Sequence, residues 1–315
     1  MSVGAVVVSH DSARDLSACL GALGRARSLA AVVVVDNASS DGSAARAREA
    51  HEPVTVLELG TNVGFAGGCN RGLAALPAEV GVVAFLNPDV EVDPACLERC
   101  AARLDDDPAL AGVAPRLMRP DGRTVDSVGQ VLARATLEVR DLGYGRELDA
   151  ELLRPREVLA PCGALAVYRR NALDQVVDQG GPWAEHYFCF WEDLELGWRL
   201  VNRGWRHVSL PDAVAVHGRG AGAAPGRGPL RWRRPPLLEA CVVSNRWMTL
   251  IRHLHPRDLA RRLPVLAAWD AAVLSASALR RPSLLRHLAR RWPLVLREWR
   301  GRGRAPRRRL NQLPW

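Results

Sequence analysis

Residues 32–43 read Val-Val-Val-Val-Asp-Asn-Ala-Ser-Ser-Asp-Gly-Ser. Four β-branched residues in a row suit a strand buried on both faces of a parallel sheet, because a strand with one wet face would alternate apolar with polar. The run stops in Asp36 and Asn37, followed by small, turn-forming residues. Open parallel sheets bind ligands beyond the carboxyl ends of their strands. This stretch therefore sets a fold class and the end of the sheet where a site would lie.

The pattern repeats on both sides. Upstream, Val3 to Val8 is a second apolar run, ending in Ser9, His10 and Asp11; between the two, Leu16, Cys19, Leu20 and Leu23 are spaced as the buried stripe of a helix. Downstream, residues 44–50 are helix-forming and Val54 to Leu59 reads as a strand. Val80 to Leu86 reads as another, closed by Asn87-Pro88-Asp89. Asp93 is expected to N-cap a helix with Pro94 in its first position and Leu97, Cys100, Ala101 and Leu104 buried. This alternation predicts an α/β fold, a mostly parallel sheet flanked by helices. Asp and Asn after a strand are ordinary turn formers one at a time; three polar strand ends together point to a site.

With 315 residues, 48% apolar and 24% charged, the chain has material for one large α/β domain or two smaller ones. That composition excludes a disordered tail, a collagen-like repeat and a disulfide-stapled peptide. All 43 basic residues are Arg, which excludes lysine Schiff-base or phosphate-loop lysine chemistry. The seven cysteines show no CxxC and no pairing rhythm, as for reduced thiols in a cytosolic protein. The chain opens directly on a strand without a basic leader, so secretion is not expected. Leu263 to Leu279, interrupted by Asp270, is short for a membrane span, and none is expected.

From about 107 to 160 the pattern is less regular and no chemistry is expected there. Residues 159–170 read as a Gly-containing loop entering a strand; residues 188–202 read as a loop opening a helix with Leu194, Trp198 and Val201 on one face. Val214 to His217 is a short strand ending in histidine, and 218–236 is a Gly-, Pro- and Arg-rich loop or linker. Residues 237–254 and 259–299 read as amphipathic helices.

Asn87 and Asp89 place oxygen ligands on one tight turn, suited to a hard divalent cation such as Mg²⁺ or Mn²⁺ that also binds a diphosphate. Glu192 and Asp193 open a helix, where acids are favoured electrostatically, but Phe188, Phe190 and Trp191 crowd the approach. A carboxylate among aromatics is a candidate general base with a raised pKa, beside a platform for a sugar ring. His217 reads as a metal ligand, a phosphate contact or a satisfied core histidine.

Five segments in order resemble glycosyltransferase family 2, in its bacterial rhamnosyltransferase-like branch: VVVVDNASSDGS (32–43), NVGFAGGCN (62–70), FLNPD (85–89), WEDLELGWR (191–199) and His217. The resemblance spans roughly residues 3–250. It implies a GT-A fold (Rossmann-like) and an inverting transfer from a nucleotide-sugar donor. By that likeness Asp36 would read the base or ribose, with Ser9 beside it, and Asn62, Gly64 and Phe65 would close over the nucleoside. Asn87 and Asp89 would form the metal turn, with Asp89 and His217 as the metal ligands. Gly163 would lie under the donor sugar with Trp191 beside it, and Asp193 would be the base with Glu192 as its acidic neighbour. Two positions depart from the family pattern: Asn87 stands where Asp is usual, and His10-Asp11 where an aromatic and Asn are more frequent.

An inverting transfer needs a base for the acceptor hydroxyl and a counter-charge on the leaving diphosphate; Asp193 and a cation on Asp89 would supply them. The expectation is metal-dependent transfer to a cell-envelope glycan or lipid-linked acceptor, with dTDP-rhamnose as donor by resemblance. The competitors are a UDP-hexose donor and a catalytically dead, membrane-associated glycan-binding protein.

Charge divides the chain. Residues 1–198 carry 18 Arg against 29 acids, residues 199–315 carry 25 Arg against five. The division predicts a catalytic region over 1–235 and an Arg/Trp-rich basic amphipathic helical region over 236–315. Arg and Trp recur there and just before it, at Trp232, Arg233, Arg234, Trp247, Arg252, Trp269, Arg290, Arg291, Trp292, Trp299 and Arg300. Such helices suit an anionic membrane surface, or a solvated face with Trp packed in the core; no nucleic-acid motif accompanies the charge. The expected location is cytoplasmic, peripheral on the inner face of the cell membrane.

Overall fold

The structure is a computed structural model that describes residues 1–50, 54–178, 180–218, 234–302 and 306–314. The quoted valine run lies in β2 (Leu29–Asp36), beside β1 (Val3–Ser9), from which it is separated by α1 (Ala13–Gly24). Then follow α2 (Ser43–Arg48), β3 (Val54–Glu58), α3 (Gly64–Ala75), β4 (Val82–Leu86), β5 (Val90–Val92) and α4 (Cys96–Asp106). β1 pairs parallel with both β2 and β4, and β3 parallel with β2.

Val6 and Val7 show why these runs are apolar throughout. Successive side chains point to opposite faces, and both faces are covered. Val7 and Val34 pack with Leu16, Leu23, Leu97 and Leu104 of α1 and α4. Val6 and Val33 pack with Ala66, Cys69 and Leu73 of α3. α3 lies close on β1 because a Cβ on Gly72 would run into the Val6 side chain, and one on Gly68 into Val8.

The second half extends the sheet. β6 (Leu110–Met118), β7 (Val125–Ser127), β8 (Gln130–Leu132), β9 (Val139–Asp141), β10 (Glu157–Val158) and β11 (Leu165–Arg169) precede α5 (Arg170–Asp174), α6 (Glu192–Asn202) and β12 (Arg206–His217). The sheet order is β10-β12-β6-β11-β4-β1-β2-β3, with β5 on β12 and β7 on β6; β8 and β9 form a separate hairpin. β11 runs antiparallel between β4 and β6, and β12 returns parallel to β6. The expected mostly parallel α/β sheet is present, and β1, β2 and β4 all end on one side of it.

Several boundaries differ from expectation. α4 starts at Cys96, because Asp93 caps a preceding turn, its Oδ1 accepting from the Ala95 N–H at 3.0 Å. The strand ending in His217 is 12 residues long; its register breaks between Leu210 and Val214, at Pro211, so the sequence showed only its last part. Residues 110–158, read as irregular, hold the nine-residue β6, inside the sheet between β12 and β11, and four strands of two or three residues, β7 to β10. Most of the expected 218–236 loop, with Trp232 and Arg233, lies outside the described residues.

The C-terminal region is three helices, α7 (Pro236–His253), α8 (Pro256–Arg280) and α9 (Pro282–Gly301). One apolar cluster joins them to α6: Leu194, Trp198 and Val201 pack with Met248, Leu250, Leu266 and Val295. A buried charge network reinforces that seam. Glu195 lies 2.9 Å from Arg199 and 2.9 Å from His253, and 3.3 Å from Arg252. Burial alone would raise the Glu195 carboxyl, but Arg199 and Arg252 outweigh it and hold it well below the carboxylate range. Thus Arg252 and Arg291 of the basic region are structural, whereas Trp292 and Trp299 are half exposed. α8 is longer than the apolar stretch read from sequence, since it starts at Pro256 and runs through Asp270. It is long and apolar enough by length and composition to cross a membrane, and its most apolar stretch is 17% buried.

Candidate active site

The loop before α6 is held in a conformation that its sequence disfavours. Phe188, Phe190 and Trp191 have φ values of 66°, 67° and 72°, a region costly for aromatic residues. Asn245 of α7 compensates: its Nδ2 donates to the carbonyls of Tyr187, Cys189 and Phe190 at 2.9, 2.9 and 2.7 Å. Its Oδ1 accepts from Arg291 Nη2 at 2.6 Å, and Arg291 Nε donates to Ser244 Oγ at 2.6 Å. The C-terminal helices thereby fix the segment that delivers Glu192 and Asp193.

Asp193 is buried and saturated on one side. Its Oδ2 accepts from the Gly163 N–H at 2.8 Å and from Gln130 Nε2 at 2.9 Å, and Oδ1 accepts from the Leu194 N–H at 2.8 Å. Burial raises its pKa, the Gly163, Leu194 and Gln130 donors pull it down, and Asp141 pushes it up again; the outcome is about 6. Glu192 is pushed well above the ordinary carboxylate range, first by burial and then by Asp193. Its Oε2 is buried without a hydrogen-bond partner among the described residues.

The ends of β4 and β12 bring the second pair together. His217 Nε2 lies 3.3 Å from Asp89 Oδ1, while Nδ1 lies 2.8 Å from Oδ2 of the fully buried Asp126. The Gly218 N–H donates to the Asp89 carbonyl at 2.8 Å. Burial would lower His217, yet the bonds to Asp126 and Asp89 prevail and raise it to about 9. A carboxylate on one ring nitrogen and an oxygen donor facing the other is the arrangement of a metal-binding histidine with its outer-shell partner. No group of three or more His, Cys, Asp or Glu forms a complete cage among the described residues. The pair fits a cation that takes its remaining ligands from water and a diphosphate, the usual habit of Mg²⁺.

A third group sits at the ends of β1 and β2, where Ser9 and Asp36 are register partners. Ser9 Oγ and Asp36 Oδ1 are buried without hydrogen-bond partners among the described residues, and buried polar atoms left so are costly unless something binds them. Asn37 ties this end to the next element, accepting from Val63 N–H at 2.8 Å and donating to the Gly64 carbonyl at 3.0 Å. Asn62 Oδ1 accepts from the Gly64 N–H at 2.8 Å. Residues 64–70 are the first turns of α3. Phe65 packs edge-on against Trp183, ring centroids 5.6 Å apart.

A cleft of about 890 Å³ opens between the sheet ends and the C-terminal helices. Of the sequence candidates it gathers Phe65, Asn87, Gly163, Trp191, Glu192, Asp193 and His217; Ser9, Asp36, Asn62, Gly64 and Asp89 do not line it. Sequence reasoning missed Gln130, Asp126 and Asp141, which come from the irregular segment, and Arg246 and Asp270 of the helices. No local signal marks them: Gln130 stands 63 positions from the carboxylate it holds.

The family model for Glycosyl transferase family 2 matches residues 5–177, more than half of the chain, Ser9, Asp36 and Asn87 among them. The chain belongs to glycosyl transferase family 2. Within that family, N-acetylglucosaminyl-diphospho-decaprenol L-rhamnosyltransferases from two strains of Mycobacterium tuberculosis are 30% identical over 208 residues. That alignment covers 59% of this chain and 66% of theirs, so the chain matches just under two thirds of the length of these curated relatives. Among solved structures, the mannosyltransferase PcManGT from Pyrobaculum calidifontis, in complex with GDP-Man and Mn²⁺, aligns with a TM-score of 0.55 at 21% identity, over 95% of this chain and 82% of that one. GalNAc-T7, with UDP, GalNAc and Mn²⁺, aligns with a TM-score of 0.60 at 14% identity, over 80% and 48%. At these identities the likeness shows the fold, and the fold of this family 2 chain is GT-A.

Proposed function

We propose that this family 2 chain is an inverting, divalent-metal-dependent glycosyltransferase that moves L-rhamnose from dTDP-rhamnose to a hydroxyl of a lipid-linked, cell-envelope glycan acceptor. The observation that carries the reading is Asp193: a buried carboxylate with a pKa near 6, fixed by Gln130 and Gly163 at the floor of a cleft that His217 also lines. A base is most effective when its pKa lies near the working pH. The rhamnosyl donor and lipid-linked acceptor are carried from the relatives' names and the family branch.

In this reading Asp36, Ser9 and Asn62 hold the nucleoside, and Asn87, Gly163 and Trp191 border the sugar. Asp193 accepts the proton of the acceptor hydroxyl while that oxygen bonds to C1 of the sugar; the C1–O bond to the nucleoside diphosphate breaks on the opposite side, and the diphosphate departs with the electron pair. Asp89 and His217 would hold Mg²⁺ or Mn²⁺, which when bound supplies counter-charge to the departing diphosphate. Asp126 keeps His217 oriented. Glu192, its carboxyl pKa raised by burial and by Asp193, lines the cleft beside the base. Alignment of the three reacting atoms, rather than nucleophile strength, sets the rate.

The basic helices support a site of action on the cytoplasmic face of an anionic membrane. Leu263 and Trp299 are about half exposed, and Leu279 more so, on helices rich in Arg. The test is donor turnover with a panel of dTDP- and UDP-sugars, with and without Mg²⁺ or Mn²⁺, on wild type and Asp193→Asn. Metal-dependent consumption of dTDP-rhamnose, lost in the variant while donor binding survives, is the expected result. Consumption of a UDP-hexose instead would replace the donor. Binding of no nucleotide sugar under any condition would overturn the enzyme reading in favour of a glycan-binding protein.

A further inference from the structure

All seven cysteines are free thiols, yet the fold brings two that lie far apart in sequence into contact. Cys189 sits between Phe188 and Phe190 in the loop before α6, is partly exposed, and lines the cleft. Cys241 lies on α7, one helical turn before Asn245, and is fully buried. The Cys189 S–H and N–H both hydrogen-bond to the Cys241 sulfur. Asn245 fixes the approach from the backbone side, since its Nδ2 donates to the Cys189 carbonyl at 2.9 Å.

The two thiols are unlike. The bond from Cys189 lowers the pKa of Cys241; burial opposes the shift and the Arg291 guanidinium adds to it. Cys189 is pushed well above the ordinary thiol range by the same bond and by burial. A thiolate is the nucleophile in thiol oxidation, and a second thiol beside it converts the first oxidised form into a disulfide. Cys96 and Cys100 of α4 also touch, but both are fully buried in the core beneath the sheet. Only the Cys189–Cys241 pair joins sulfur contact to an opening on the cleft.

We infer that Cys189 and Cys241 form a redox modification site, which a peroxide entering the cleft converts to a reversible disulfide that halts turnover. The Cys241 thiolate attacks one peroxide oxygen and the O–O bond breaks; the other oxygen leaves as hydroxide, takes up a proton and becomes water. Cys241 is then a sulfenic acid. The Cys189 sulfur attacks it, the S–S bond forms and the S–O bond breaks, and the second oxygen leaves as water with the Cys189 proton. Two electrons pass from the thiols to the peroxide, and a thiol reductant returns them.

The bond would act on the catalytic segment directly. Two sulfurs in hydrogen-bonding contact must close to covalent distance, which draws Cys189 toward α7. The loop is held on its other side, where the Phe188 carbonyl accepts from the Ala66 N–H at 3.3 Å. Asp193 begins the next turn, so the pull reaches its bonds to Gly163 and Gln130. A misplacement of about 1 Å costs roughly 100-fold in rate. The effect on turnover rests on the transferase reading; formation of the bond does not.

The test treats the full chain with hydrogen peroxide, alkylates it, and maps disulfide-linked peptides without reduction. The same samples are assayed for dTDP-rhamnose turnover before and after dithiothreitol. The expected result is a Cys189–Cys241 linked peptide, with turnover about tenfold lower or less and restored by the reductant. Each of Cys189→Ser and Cys241→Ser, compared with itself before and after peroxide, should lose that sensitivity. Cys162→Ser should keep it, although Cys162 also lines the cleft. Absence of the linked peptide from wild type overturns the site, whether or not the serine variants fold. A linked peptide with unchanged turnover, or sensitivity that disappears with Cys162, overturns the switch. If untreated wild type turns over no nucleotide sugar, the transferase reading falls while the peptide map still decides the bond, so the two failures are distinguishable.

Discussion

The carbonyl oxygen of Phe188 occupies the space in which a Cβ on Gly64 would stand. The start of α3 and the loop delivering Asp193 are thus in backbone contact, joined further by the Ala66 N–H donating to the same Phe188 carbonyl at 3.3 Å. Glycine is required there twice over: φ is +76°, and the obstructing atom is backbone, which cannot swing aside. Gly64→Ala should cost about 1–2 kcal/mol from the dihedral alone, more from the displaced carbonyl. Its activity should fall further than its stability does, because relief of the clash moves the 188–193 segment. Thermal melts and turnover of the variant check this; a variant as active as wild type would mean that the contact is not transmitted to Asp193.

Asp193 makes opposite demands on stability and on rate. Its folded pKa of about 6 exceeds the ordinary value of 3.8, so between those pH values the folded state holds a proton that the unfolded chain has released. Stability contributed by the protonated form is complete below about pH 3.8 and is lost as pH rises through 6, on the order of 3 kcal/mol in all. The rate has the opposite slope, rising with pH through about 6 as the base is freed. Asp193→Asn should reduce turnover roughly 100- to 10,000-fold, flatten the acid limb of the pH–rate profile, and melt no lower than wild type at pH 7. A variant that keeps the acid limb would assign that titration to another group.

Asp126 is the residue whose role beside the Asp89–His217 pair is most exposed to test. Buried completely, it fixes the ring of His217 through Nδ1 and leaves Nε2 facing Asp89. Asp126→Asn retains size and burial but removes the charge. Loss of such an outer partner typically weakens metal affinity roughly 10- to 100-fold. Titration of apo protein with Mn²⁺, read by activity and by metal-dependent quenching of Trp fluorescence, should show that weakening with little change at saturating metal. An unchanged midpoint would leave Asp126 as a packing partner alone.

The fold and half of the site were legible in sequence for one reason: the chemistry of the first half is local. A parallel strand covered on both faces writes a run of valines, and its carboxyl end writes the candidate residues Asp36 or Asn87. The aromatic approach to Asp193 was legible too, though not that Phe188, Phe190 and Trp191 would adopt positive φ. The remainder is long-range. Gln130 and Asp126 lie on three-residue strands with no periodicity to read, and their value comes from segments 63 and 91 positions away. Arg291 and Trp269 looked alike as members of a basic, Trp-bearing tail, yet one is a buried tie and the other borders the cleft. Composition describes a surface and a core equally well until packing separates them.

That separation is sharpest at Asn245. One amide nitrogen serves three carbonyls in a loop carrying three left-handed aromatic residues, and Arg291 holds the amide in turn. Asn245→Ala would remove this donor from the Cys189 and Phe190 carbonyls, at about 1–3 kcal/mol for each group left unsatisfied, while Arg291 would keep Ser244 and the His186 carbonyl. With the clamp gone, the disfavoured dihedrals relax toward ordinary values, and the Trp191 carbonyl, which accepts from the Glu195 N–H at 2.8 Å, no longer fixes the first turn of α6. The expected outcome is a fall in kcat at least tenfold, a smaller change in donor KM, and faster proteolytic cleavage within residues 186–191 than elsewhere. Asn245→Asp distinguishes geometry from mere bulk: its carboxylate keeps the Arg291 bond but donates nothing to the loop, so it should resemble Ala in kcat while melting closer to wild type. Equal activity of wild type and Asn245→Asp would show that the loop holds its conformation without the clamp.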